Sequence, residues 1–386
     1  MFDHFFIDYM SNIIPVAFNL KSDKEIKKIG SGEAQFTVTL NKPISKSELL
    51  TSTSLALGEA YMRGDLEVDK DLYEVLNLFL GQMGKFTTNK SKLHSLLFSA
   101  TSKGNQKKEV TAHYDIGNEF YSLWLDETLS YSCAYFKDEN NTLYEAQMNK
   151  IHHTLDKLFL KPGMTLLDIG CGWGALLIEA AKKYQVKGTG ITLSQEQYNK
   201  FKERIKEENL EEFLNVEIMD YRDLEKSNLL FDRVVSVGML EHVGRDNYEL
   251  FIKSVYHVLK DKGVFLLHSI TAQKEHPGDA WIKKYIFPGG TVPSLRELIH
   301  ILPEYQLYTL DVESLRRHYN RTLLWWRKRF LEHRDEIVTM MGEEFTRMWE
   351  LYLSSCAATF NNGIIDIHQI LMSKGAANDL PMIRVV

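Results

Sequence analysis

The chain has 386 residues, 44% of them hydrophobic, and a formal net charge of −6. That length exceeds one ordinary compact domain and predicts two, and the negative balance argues against a general nucleic-acid binder. The three cysteines, Cys133, Cys171 and Cys356, are far apart and fit neither a disulfide framework nor a zinc site, so a reducing cytoplasmic setting is expected.

In chain order, the amino terminus is apolar but carries Asp3 and Asp8 and lacks a basic cluster, which does not suit a signal peptide. Phe2, Phe6, Tyr9, Met10 and Ile13 fall at helical spacing, giving either a core-facing or an interfacial membrane face. Residues Gln35–Leu40 read as a strand within a mixed N-terminal domain, expected to span 1–100. The polar segment 101–109 reads as a linker, and 110–386 as the catalytic domain. No run of about 18 apolar residues occurs, so no membrane span is expected.

Beyond the linker the pattern alternates. Strand Thr165–Ile169 leads to helix Ala175–Tyr184, and strand Val186–Ile191 to helix Ser194–Glu208. Strands Val216–Met219 and Phe231–Val237 follow, then helix Tyr248–Leu259 and strand Gly263–Ile270. This order predicts an α/β fold with a mostly parallel sheet and a ligand at the carboxyl ends of its strands. From Trp281 onward the chain reads as mostly helical, with a closing strand near Gly363–Met372.

The segment LLDIGCGWG, Leu166–Gly174, begins in a strand and opens a helix. Gly170, Gly172 and Gly174 permit a tight turn and close backbone approach. The helix amino terminus offers free N–H groups to a carboxylate, and Asp168 can accept from an ammonium. Methionine carries both groups. A dinucleotide site would want an acid at the end of the second strand, but that strand ends in Thr192 and Leu193, with no acid before Glu196. Asp220 and Tyr221 instead follow the third strand, a placement suited to an adenine edge and ring.

LLDIGCGWG, GITLSQEQ, GMLEHVG (Gly238–Gly244) and FPGG (Phe287–Gly290), in this order, resemble the cyclopropane-fatty-acyl-phospholipid synthase family, of the bacterial phospholipid type related to mycolic-acid cyclopropane synthases. The segments His113–Phe136 and His318–Trp326 resemble two further signatures. The resemblance covers about residues 110–375. It implies a class I S-adenosylmethionine methyltransferase fold, Rossmann-like with a mostly parallel seven-stranded sheet, beside a smaller N-terminal α+β domain. It places cofactor contacts on Tyr131, Ser132, Asp168, Gly170, Gly172, Gly174, Thr192, Leu193, Gln197, Asp220 and Tyr221.

The resemblance further implies methylene transfer to the cis double bond of an unsaturated phospholipid acyl chain, through a carbocation. The base would be bicarbonate, held by Cys133, Glu241, His268 and Tyr319. Tyr131, Tyr135, Trp173, Tyr319, Trp325 and Trp326 supply rings that suit a cation, although plain packing explains each equally well. Tyr319, Leu323, Trp326 and Phe330 share a helical face that should point inward. Cys356 matches a motif sometimes treated as catalytic. Its apolar helical face with Phe345, Trp349 and Tyr352 reads instead as packing along an acyl pocket.

Two basic stretches without acids, Gly81–Lys108 and Ser314–Leu331, fit peripheral docking on the inner face of an anionic membrane. The same composition also fits a solvated face. The family implies a homodimer. Two rivals remain at this level: an S-adenosylmethionine-dependent lipid methyltransferase giving a methyl-branched product, and a non-enzymatic binding protein on the same fold.

Overall fold

The computed structural model describes Ile7 and residues 16–23, 25–83 and 116–382. The remaining amino-terminal residues, the 101–109 linker and most of the first basic stretch lie outside the described residues.

In chain order the strands are β1 (Phe18–Lys21), β2 (Ile26–Ile29), β3 (Thr37–Leu40), β4 (Leu66–Val68), β5 (Thr165–Ile169), β6 (Lys187–Thr192), β7 (Leu214–Ile218), β8 (Phe231–Val237), β9 (Leu259–Ala272), β10 (Leu307–Ser314) and β11 (Ile365–Lys374). The helices are α1 (Lys46–Thr51), α2 (Thr53–Met62), α3 (Leu72–Met83), α4 (Asn118–Trp124), α5 (Leu143–Lys157), α6 (Ala175–Tyr184), α7 (Gln195–Glu207), α8 (Tyr248–Val258), α9 (Ala280–Tyr285), α10 (Leu295–Ile301), α11 (Arg316–Glu332), α12 (Arg334–Met341) and α13 (Glu343–Asn361).

Two compact units are present, but their boundary differs from the expected one at 101–109. The first unit takes Met1–Asn89 together with Gly278–Pro288 and Leu323–Ile364. The second takes Lys90–Pro277, Gly289–Thr322 and Ile365–Val386. The physical reason is burial: within the first unit Leu351 of α13 packs against the cluster built on Phe18, Leu20, Val38, Leu49 and Val75. Its sheet runs β2-β1-β3-β4. Also in this unit, Gly58 leaves room for Trp281, since a Cβ there would meet the indole at 2.4 Å.

The second unit carries a seven-stranded sheet in the order β10-β11-β9-β8-β5-β6-β7. β5 to β9 pair in parallel, and β11 inserts antiparallel between β9 and β10. Its two faces bury separate clusters, one around Leu167, Val234, Phe251 and Phe265, the other around Leu166, Leu177, Phe201 and Leu266. Successive residues of β5 thus serve opposite faces, as the pleat requires. The strand order reverses between β5 and β8, where ligands bind in such sheets.

The turn after β5 depends on its glycines. Gly174 has φ +83° and a Cβ there would lie 2.0 Å from the Phe201 ring. Gly174→Ala combines a left-handed backbone with overpacking and is expected to destabilise the full chain by about 3 kcal/mol or more, read as a lowered denaturation midpoint.

Candidate functional site

One cavity lies over the carboxyl ends of β5, β6 and β8. Its walls include Tyr131 and Ser132, Asp168 to Trp173, Thr192, Leu193, Gln197, Tyr221 and Met239. Eight sequence-predicted contacts are therefore brought together here: Tyr131, Ser132, Asp168, Gly170, Gly172, Thr192, Leu193 and Gln197, with Tyr221 a ninth. Gly172 has φ +54° and nothing within 4 Å of where a Cβ would be, so backbone is open to a ligand at this point. Gly174 is not in the wall; it caps α6, and no side chain bonds to that helix end. Ala175 and Leu176 of that first turn face the cavity.

Asp220 is placed differently. Its carboxylate accepts from the Arg222 backbone N–H at 2.9 Å, from Nε at 2.9 Å and from Nη2 at 2.7 Å. It caps the short helical turn Tyr221–Lys226 and thereby fixes the segment from which Met219 and Tyr221 face the cavity.

Each polar wall residue is positioned by its element. Thr192 Oγ1 ends β6 and donates to Gln197 Oε1 at 2.9 Å, and it accepts from Ser194 N–H at 3.2 Å. Tyr131 packs edge-on to Trp124 with centroids 5.3 Å apart, and Tyr121 bridges Tyr131 and Trp173 at 5.6 and 5.4 Å. Asp168 is 3% exposed, and its Oδ1 has no hydrogen-bond partner. Burial pushes its carboxyl up to about 7, opposed by the nearby Lys150 charge.

Sequence reasoning missed Lys150. Helix α5 opens on a capping box between Thr142 and Glu145 and buries a stripe at helical spacing, through Leu143, Ala146, Ile151 and Leu155. Gln147 and Lys150 lie within that stripe. The Gln147 amide donates to the carbonyls of Ser130 at 3.2 Å and Ser132 at 2.9 Å, and Lys150 Nζ donates to Ser132 Oγ at 2.9 Å. The available signal was a lysine on the apolar stripe rather than on the solvated face. His242, half-buried in the wall, loses solvation there, which lowers its pKa to about 4.

A second constellation sits where β9, β11 and the start of α11 meet. His268 on β9 pairs in register with Gln369 on β11. The Gln369 amide nitrogen lies 3.1 Å from Thr154 Oγ1 and 3.2 Å from His268 Nδ1. Thr154 Oγ1 spends its own proton on the Lys150 carbonyl at 2.8 Å, so it accepts from Gln369. His268 Nδ1 accepts from the same NH2 group, which leaves the proton of a neutral ring on Nε2. Desolvation keeps the ring neutral, lowering its pKa to about 3, and Nε2 is buried without a partner.

Glu241 Oε1 accepts from the Ile270 N–H at 2.6 Å, on the same face of β9 as His268, and its Oε2 is likewise buried and unpartnered. Burial raises the Glu241 pKa. Cys133 Sγ lies 3.8 Å from the Leu315 carbonyl, which also accepts the Tyr319 N–H at 3.0 Å. Leu315 in turn donates its N–H to Ile367 of β11 at 2.8 Å. Glu241 and His268 are thus paired through β9, and Cys133 and Tyr319 through Leu315. Burial raises the Cys133 thiol well above its usual range, so it is no thiolate.

Several rings are committed to packing. Tyr135 is stacked between His153 at 4.3 Å and His318 at 4.6 Å. Trp173 Nε1 donates to Asn118 Oδ1 at 2.8 Å. The α11 stripe is buried as the spacing predicts: Tyr319, Leu323, Trp326 and Phe330 are all 9% exposed or less. On the basic side of that helix, the reading as a free cationic surface needs correction. Arg327 bonds Asp71 at 2.6 Å and Ser354 Oγ at 2.9 Å, and Arg321 lies over the Phe136 ring. Arg317 and Lys328 are the exposed pair.

Cys356 lies on α13 in the first unit, beyond Phe345, which stacks on Trp349, and Tyr352, which meets Trp349 edge-on. Desolvation pushes its thiol up to about 12. Among the described residues no His, Cys, Asp and Glu group is arranged to hold a metal, and no helix is long and apolar enough to cross a membrane.

Comparison with known proteins agrees with this geometry. The family model described as mycolic acid cyclopropane synthetase matches residues 101–370, and a domain family of unknown function matches residues 2–91. The chain is 38% identical over 365 residues to the cyclopropane-fatty-acyl-phospholipid synthase of Escherichia coli, covering 92% of both chains. It is 37% identical over 359 residues to a probable fatty acid methyltransferase of Pseudomonas putida, covering 91% of both. The crystal structure of mycolic acid cyclopropane synthase CmaA1 complexed with SAH and CTAB superposes with a TM-score of 0.65 at 35% identity, over 69% of this chain and 98% of that one. The cavity at the strand switch point is therefore the candidate site for S-adenosylmethionine, and the chain belongs to the mycolic acid cyclopropane synthetase family of S-adenosylmethionine-dependent methyltransferases.

Proposed function

We propose that the chain is a cyclopropane-fatty-acyl-phospholipid synthase, which transfers a methylene from S-adenosylmethionine to the cis double bond of an unsaturated phospholipid acyl chain. The observation that carries this reading is the second constellation, two unpartnered buried groups of opposite hydrogen-bonding sense, His268 Nε2–H and Glu241 Oε2, beside the cofactor cavity's Met239 and His242 segment. A methyltransferase acting on an ordinary nucleophile needs no such additional pair of unpartnered polar groups.

An alkene is a weak nucleophile, so the site must align it with the sulfonium methyl and keep water away from the resulting carbocation. Loss of a proton from the transferred methyl then closes the ring. These groups would suit a small planar anion with one hydroxyl: His268 Nε2–H and the Tyr319 hydroxyl can donate to oxygens, Glu241 Oε2 can accept from a hydroxyl, and the family resemblance adds Cys133 to the set. Bicarbonate bound there would supply the base that takes this proton. The aromatic cluster of Tyr121, Trp124, Tyr131 and Trp173, of which Tyr131 and Trp173 line the cavity, would supply ring faces to a developing cation.

Phospholipid is preferred as the substrate because the relatives that match beyond the catalytic domain, over 92% of both chains, include the phospholipid enzyme. The reading includes a homodimer acting peripherally on the inner membrane face, with Tyr221 at the adenine and Asp220 holding its segment through Arg222. In contrast to a nucleophilic role, Cys356 is a packing residue. Cys356→Ala is expected to keep activity within about threefold, and loss of activity with folding and lipid binding intact would contradict this. The function is tested by cofactor turnover with vesicles: release of S-adenosylhomocysteine should require cis-unsaturated phospholipid and be absent with saturated phospholipid. Turnover on saturated lipid, or none on either, overturns it.

A further inference from the structure

Lys150 is unexplained by the chemistry above. It is 4% exposed, it lines the cofactor cavity, and it stands one helical turn from Gln147 on a stripe that otherwise packs the core. A buried ammonium is costly unless it is paired. Of its three N–H donors, one meets Ser132 Oγ at 2.9 Å. The acids nearest to it electrostatically are Asp126 and Asp168. Neither completes a close pair: Asp126 Oδ2 accepts from the Thr128 N–H at 3.0 Å, and the remaining oxygen of each carboxylate, Oδ1, has no partner. The cavity wall therefore holds a basic and an acidic group, Lys150 and Asp168, each incompletely paired.

The methionine end of S-adenosylmethionine is a zwitterion, with an α-ammonium and an α-carboxylate on one carbon. We propose that Lys150 Nζ, oriented by Ser132 Oγ, receives the α-carboxylate of the cofactor while Asp168 Oδ1 receives its α-ammonium. This rests on the cofactor assignment and adds a residue to it. The competing holder of the carboxylate is the uncapped amino end of α6, whose Ala175 and Leu176 also face the cavity. The lysine supplies what that helix end lacks, a full charge already desolvated, and desolvation has lowered its pKa to about 8. Gln147, by holding the Ser130 and Ser132 carbonyls, keeps the loop from drifting off the lysine.

The test compares two probes on the full-length protein by calorimetry: S-adenosylhomocysteine, and the same molecule without its α-carboxylate. Wild type should bind the complete probe at least about thirtyfold more tightly. Lys150→Met should lose that factor for the complete probe and bind the decarboxylated one within about threefold of wild type. The unchanged second affinity shows that the cavity is intact. Equal affinity of wild type for both probes overturns the proposal without any variant. So does a Lys150→Met protein that still discriminates between them, which assigns the carboxylate to α6, or one that loses both equally, which makes the lysine a folding residue. Failure of wild type to bind either probe would instead strike at the cofactor assignment.

Discussion

Glu241→Gln and His268→Ala are each expected to slow methylene transfer by about a hundredfold or more, while leaving S-adenosylhomocysteine affinity within about threefold of wild type. The separation follows from position. Neither residue lines the cofactor cavity, yet each holds one buried, unpartnered polar atom. Glutamine at 241 keeps an acceptor for the Ile270 N–H, so β9 should hold its register. It removes the carboxylate oxygen available to a bound anion. Alanine at 268 removes the Nε2–H donor and leaves the Gln369 amide one acceptor short, which costs about 1–3 kcal/mol of stability as well. Initial rates on unsaturated phospholipid vesicles, beside calorimetric binding of S-adenosylhomocysteine, check both halves. A parallel loss of cofactor affinity would show that the two residues serve the cavity rather than the proton transfer.

Asp168→Asn is expected to have the opposite profile, with cofactor affinity falling about thirtyfold or more because a buried ionic partner of the α-ammonium is lost. The wild-type carboxylate also makes binding depend on pH. Burial raises the pKa of Asp168 in the empty cavity to about 7, so below that pH a proton must leave before the ammonium can be paired. Affinity should fall about tenfold for each pH unit below 7, with a proton released on binding, and asparagine should abolish both effects. The linked effect on stability has a definite sign. A carboxyl whose folded-state pKa is raised contributes fully below its unfolded value near 4 and loses that contribution as pH rises through 7. Ligand-free protein should therefore lose the Asp168 contribution from pH 4 to 7, and stabilisation by S-adenosylhomocysteine should be larger at pH 8 than at pH 6. Thermal melts with and without ligand at those two values measure this directly.

The catalytic sheet was legible wherever a strand and its helix are local. The limits of β5, α6 and β8 fall where the alternation places them, and Ser194 caps α7 with its hydroxyl on the Gln197 N–H. What the pattern could not carry is non-local. β10 went unread because it is an edge strand whose Tyr308, Thr309 and Leu310 are exposed, so it lacks strict alternation and takes its form from pairing with β11. Segments 278–288 and 323–364 group with the first unit, where Leu351 packs on the core begun by the first eighty residues, and adjacency in sequence does not reveal that.

At the site, the glycine turn was readable because its backbone demands those residues, whereas Thr192 and Gln197 were named through the family resemblance alone. Lys150 was not, since a lysine in an amphipathic helix ordinarily marks the solvated face. Asp220 was read as a ligand group from its place after the third strand of the catalytic sheet. Its bonds to Arg222 two residues on depend on a local turn that strand periodicity does not encode. Arg327 shows the same limit for charge runs, because its partners Asp71 and Glu350 lie far away in sequence.

The central claim is that the transferred methyl loses a proton and becomes a ring methylene. Supplying S-adenosylmethionine with a trideuterated methyl group, together with cis-unsaturated phospholipid vesicles, tests it in one product analysis. The account predicts an acyl chain that has lost its alkene, shows cyclopropyl signals, and retains two deuterium atoms, the third having been carried off as the proton. A chain that retains all three deuterium atoms as a methyl branch would contradict it and make the enzyme a simple lipid methyltransferase.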